Sequence, residues 1–104
     1  MLPDILYPIR EELLSDLNFF SGGLVTGFRR FPTRITFHAS KELTDIRIIL
    51  YDLDGNALHN YFFDNLTSKL EYIMFTPKDI FHMDLIIKTY DENHNIIGLY
   101  LLEK

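Results

Sequence analysis

Along the first twenty positions the apolar residues recur at three- and four-residue steps: Ile5, Leu6, Ile9, Leu13, Leu17 and Phe20 fall on one stripe. That spacing predicts an amphipathic helix. Pro8 suits its first turn, and Glu11 and Glu12 follow where the helix dipole favours negative charge. Ser21-Gly22-Gly23 predicts its end, because glycine accepts the left-handed conformation of a helix C-cap. From Leu24 onward the period becomes two. Ile46, Ile48 and Leu50 alternate with Asp45 and Arg47, and Leu70, Tyr72 and Met74 alternate with Lys69 and Glu71. Strands are predicted over 24–31, 33–39, 44–52, 57–64, 69–76, 81–90 and 96–103. The breaks between them carry turn residues, among them Phe31-Pro32-Thr33, Asp54-Gly55-Asn56 and Glu92-Asn93-His94-Asn95. The expected organisation is a helix and Gly-Gly hinge over 1–23, then an all-β, seven-stranded antiparallel sandwich over 24–104.

The chain also repeats itself. Residues 45–64 align without gaps on 84–103, with Asp45 matching Asp84, Tyr51-Asp52 matching Tyr90-Asp91, Asn56 matching Asn95 and Tyr61 matching Tyr100. Each copy reads as strand, polar turn, strand, so two hairpins of equal register are expected. The pairs Ile46/Leu85, Ile48/Ile87 and Leu58/Ile97 should then point into the core.

Two such hairpins separated by one strand resemble strands C–C′ and F–G of fibronectin type III and immunoglobulin-like sandwiches. Between them, Phe75-Thr76-Pro77-Lys78-Asp79-Ile80-Phe81 is similar to the fibronectin-type Leu-x-Pro-x-x-x-Tyr pattern, with Phe81 at the place of the corner tyrosine. The resemblance covers about 24–104 and implies an immunoglobulin/fibronectin-III-like fold. It carries no functional residue with it, since this fold hosts many unrelated activities.

Only one face of each sheet in a sandwich is interior. Strands 44–52, 57–64 and 96–103 lose their alternation in apolar runs at their ends, which puts Ile49, Tyr61, Phe63, Tyr100 and Leu102 on outer faces, where a neighbour or the N-terminal helix would have to cover them. Arg29, Arg30 and Arg34 cluster about Phe31-Pro32, a combination enriched in protein interfaces. With the helix stripe of Leu6, Ile9, Leu13, Leu17 and Phe20, these residues form the expected contact surface for a protein partner or a second copy.

Composition narrows the chemistry. The chain has 104 residues, net charge −5 and no cysteine. Thiol catalysis, thiolate zinc sites and disulfides are thereby excluded, and the acidic balance argues against nucleic acid as a partner. No apolar run is long enough for a membrane span and no basic, apolar leader opens the sequence, so a cytoplasmic or virion location is expected. His38, His59 and His82 fall at outward strand positions and His94 in a turn, without metal-ligand spacing. Asp52-Leu53-Asp54-Gly55-Asn56 lacks the glycine and glutamate positions of a calcium loop and reads as a hairpin turn. Neither a nucleophile elbow nor a phosphate loop is present. No catalytic residue, metal or cofactor is expected. Ile, Asn, Tyr and Phe number 33, a bias toward AT-rich codons that suggests a phage or viral particle. The expected function is a non-enzymatic interaction module, a small structural or adaptor subunit. The alternative is an acidic inhibitor or immunity-type protein acting through Asp52, Asp54, Asp91 and Glu92.

Overall fold

The computed structural model describes residues 24–104. The expected helix with its stripe from Leu6 to Phe20, and the Gly22-Gly23 joint, lie outside the described residues. Seven strands follow in order: β1 Val25–Phe31, β2 Arg34–Ala39, β3 Leu43–Tyr51, β4 Ala57–Leu66, β5 Glu71–Phe75, β6 Leu85–Tyr90 and β7 Ile96–Leu102. They form two antiparallel sheets, one in the order β1-β2-β5 and the other β4-β3-β6-β7, packed as a sandwich. The β1–β2, β3–β4 and β6–β7 turns fall at Pro32, at Gly55-Asn56 and at Asn93–Asn95. Strand 81–90 is shorter than expected: Lys78–Ile80 form one 3-10 turn after Pro77, and Ile80 is buried there.

The core lies between the sheets. Ile35, Phe37 and Met74 from one sheet face Ile46, Ile48, Leu50, Leu85 and Ile87 from the other, each no more than 2% exposed. Phe37 is its aromatic centre, with ring centroids of Phe28, Phe63 and Tyr72 at 5.7, 5.3 and 5.7 Å. The expected inward pairs hold: Leu58 and Ile97 also pack against this cluster. Leu70, expected inside, is 56% exposed, because β5 begins only at Glu71.

Tyr61, Phe63, Tyr100 and Leu102 do not lie on outer faces; all four belong to the main core. The cause is a β-bulge in each hairpin. Leu50 pairs with His59 and Tyr51 with Ala57, leaving Leu58 as an extra residue. Thr89 pairs with Gly98 and Tyr90 with Ile96, leaving Ile97 as its counterpart. One inserted residue reverses which side chains face inward from there on. Tyr61 and Phe63 thus sit opposite Ile48 and Ile46, and Tyr100 and Leu102 opposite Ile87 and Leu85. His59, expected outward, is carried to the core side for the same reason and stacks on Tyr61 with centroids 6.1 Å apart. A third bulge, where Gly27 has φ +69°, sets the parity of β1 so that Phe28 and Arg30 face the other sheet.

Candidate functional site

The two hairpin turns share one internal chemistry. The Asp52 carboxylate accepts from the amides of Asp54 and Asn56 and from Asn56 Nδ2, all at 2.9 Å. Asp91 accepts in the same way from Asn93, Asn95 and Asn95 Nδ2 at 2.8, 2.9 and 3.2 Å. These bonds explain why the repeat keeps Asp and Asn at matching positions. Partial burial pushes the Asp52 carboxyl up, but donation from Asn56, Asp54 and Gly55 outweighs it and holds the group below its ordinary 3.8. Asp91 is lowered chiefly by the Asn95 amide. Tyr51 pairs with Ile86 and Arg47 with Tyr90, so the turns after β3 and β6 stand at opposite ends of the sheet. Asp52 and Asp54 therefore cannot join Asp91 and Glu92 on a single contact surface. Among the described residues no three metal-ligating side chains come together.

Two clefts open on the surface. One of about 320 Å³ is lined by Asp45, Arg47, Phe62, Asp91, Glu92 and His94, which offer acids and an imidazole but no hydroxyl or thiol. The other, of about 340 Å³, has the hydroxyls of Thr44, Thr67 and Tyr72 beside Glu42, without an imidazole. Its Tyr72 hydroxyl accepts from the Thr67 amide at 2.7 Å.

The three sequence-adjacent arginines separate into two roles. Arg30 faces inward, and its guanidinium donates to the carbonyls of Phe81, Met83 and Leu102 at 2.9, 2.6 and 3.0 Å. It ties β1 to the corner before β6 and to the end of β7, and so acts as a structural clamp. Its pKa is lowered by burial, with Asp84 pulling the other way.

Arg29 and Arg34 remain on the outer face of the three-stranded sheet. Both guanidinium groups lie over the Phe31 ring, at 5.6 and 4.2 Å from its centroid. Across the sheet, Arg34 pairs with Phe75 and Thr36 with Ile73. Phe75 is 73% and Ile73 45% exposed. Among the described residues neither arginine has a carboxylate partner; the ion pair on this face is His38–Glu71 at 3.5 Å. Beneath the patch the Thr36 hydroxyl is buried without a hydrogen bond. The backbone of Phe75 is held from the opposite sheet, where the Tyr61 hydroxyl donates to its carbonyl at 2.5 Å. Phe75 and Ile73 escaped the sequence reading, although odd-position apolar residues beside an inward Met74 carry the signal.

No family model, curated protein or solved structure matches the chain.

Proposed function

We propose that this chain is a non-enzymatic interaction module of fibronectin type III kind, a small structural or adaptor subunit of a larger assembly such as a phage or viral particle. The finer fold assignment rests on the strand order, since β1-β2-β5 against β4-β3-β6-β7 is the order obtained when β3–β4 and β6–β7 are strands C–C′ and F–G. The observation that carries the function is the patch of Phe31, Ile73 and Phe75 with Arg29 and Arg34. Aromatic and arginine side chains dominate the energetic centres of protein interfaces, whereas an isolated domain gains nothing from an exposed phenylalanine. Two cations without a carboxylate partner among the described residues favour a protein surface that presents carboxylates around an apolar centre.

The test is capture of stoichiometric partners from the native source with the unsubstituted chain and with an Arg34→Glu/Phe75→Asp variant, alongside light scattering of each pure protein. A partner or oligomer lost in the folded variant supports the reading. Identical association of both proteins, or none for either, refutes it.

A further inference from the structure

The patch of Arg29, Arg34 and Phe75 has its chemical complement on this same chain. On the outer face of the three-stranded sheet, register sets Phe31, Arg34 and Phe75 in one row and Arg29 and Ile73 in the next, so two cations stand beside an exposed apolar centre. The cleft of about 320 Å³ against β3, β4 and the β6–β7 turn has the opposite sign. Asp45, Asp91 and Glu92 line it together with His94 and with Phe62, which is 52% exposed. Its arginine, Arg47, is engaged locally: the guanidinium lies 5.6 Å from the Phe62 centroid and donates to Asn60 Oδ1 at 3.1 Å. Among the described residues no cation comes within ion-pair distance of the three carboxylates.

The two surfaces point away from each other. Arg30, next to Phe31, donates to the carbonyls of Met83 and Leu102, so the Phe31 end of β1 adjoins the start of β6 and the end of β7. The Asp91–His94 turn closes the opposite end of those two strands. The faces differ as well. Arg47 and Phe62 lie on the outer side of the four-stranded sheet, since their neighbours Ile46, Ile48, Tyr61 and Phe63 belong to the core. One folded domain therefore cannot bring its own patch to its own cleft.

We infer that the patch docks into the cleft of a second copy of this chain, with Arg29 and Arg34 meeting Asp45, Asp91 and Glu92, and Phe31 and Phe75 meeting Phe62. This rests on the patch being a protein-contact surface, as proposed above, and names its partner. After one such contact each pair of copies still presents an unused patch at one side and an unused cleft at the other. The contact is thus heterologous, and copies add head to tail into a ring or a filament. Pairing patch to patch about a two-fold axis is opposed, because it sets the arginines of both copies together without carboxylates.

Sedimentation of the full-length protein over rising concentration tests this, with two variants beside it. Arg29→Glu/Arg34→Glu reverses the patch. Asp45→Asn/Glu92→Lys reverses the cleft, with asparagine chosen at 45 because it tolerates the φ of +53° there. The unsubstituted chain is expected to pass beyond the dimer. Each variant alone should associate roughly a hundredfold more weakly, since like charges then face each other. An equimolar mixture of the two should recover association, because each keeps the surface that the other lacks. A strict monomer, an assembly that stops at the dimer, a cleft variant that associates like the parent, or a mixture that fails to recover overturns the inference. A monomer that captures a different protein through Arg34 and Phe75 overturns this inference alone and leaves the interaction module standing.

A chain without cysteine allows a second measurement that leaves both surfaces intact. Thr33→Cys and Asn93→Cys, at exposed turn positions beside the patch and the cleft, are mixed and treated with a short bis-maleimide. Links between positions 33 and 93 are expected to predominate over links joining like positions. Links in random proportion, or none, overturn the inference even where a charge variant fails to fold.

Discussion

Replacing Arg30 by methionine removes the guanidinium while keeping most of the aliphatic stem that packs beside it. Three carbonyls, from Phe81, Met83 and Leu102, lose their donor together. A hydrogen bond of this kind contributes about 1 kcal/mol net, and a half-buried carbonyl left without a partner costs further, so the expected loss is about 2–4 kcal/mol. The Arg30 Nε makes no hydrogen bond, which places the expectation inside that range rather than above it. For a domain of this size each kcal/mol moves the melting temperature by about 4–8 °C, giving a fall of roughly 15 °C. Urea titration followed by circular dichroism measures it: the midpoint should drop with the slope unchanged, since the surface exposed on unfolding is the same. Arg30→Lys should recover only part of the loss, because one ammonium cannot reach carbonyls on two elements at once. An Arg30→Met protein within about 0.5 kcal/mol of the unsubstituted one would refute the clamp, showing that water serves the three carbonyls equally well.

Three further expectations concern the turns and the faces. His94 has φ +65° at the position where the first hairpin has Gly55 at φ +94°, so His94→Gly should stabilise by about 0.5–1 kcal/mol, and a destabilised variant in urea would count against that strain. Because the Asp52 and Asp91 carboxyls are lowered by folding, their contribution is complete above the ordinary aspartate range and lost as pH falls below it through their lowered folded-state values. An Asp52→Asn/Asp91→Asn protein should accordingly lose less stability than the parent between neutral pH and acid, and parallel pH curves would refute this. Phe63→Asp puts a charge on the core side of β4 and should prevent cooperative folding, whereas Phe75→Asp should leave the melting temperature within a few degrees; the reverse order in thermal scans would show the parity of β4 to be wrong.

Much of the architecture was legible in local chemistry. Period-two alternation marked the strands, Asp-Gly-Asn and Pro-containing breaks marked their ends, and the matched hairpins followed from the repeat. These features depend on neighbours within a few residues, so sequence alone specifies them. The Asp52 and Asp91 turns belong to the same class, since each carboxylate is satisfied within four residues of itself. The facing of Tyr61, Phe63, Tyr100 and Leu102 was different. A bulge at Leu58 or Ile97 is set by how two strands pair, and one extra residue exchanges interior for exterior without changing the composition of the strand. Arg30 is the extreme case. It sits in sequence beside Arg29 and Arg34, yet its partners lie 51 to 72 residues away. Only sheet packing tells the clamp from the two arginines of the outer face, because only packing brings three carbonyls within reach of one guanidinium and leaves its neighbours on the opposite face.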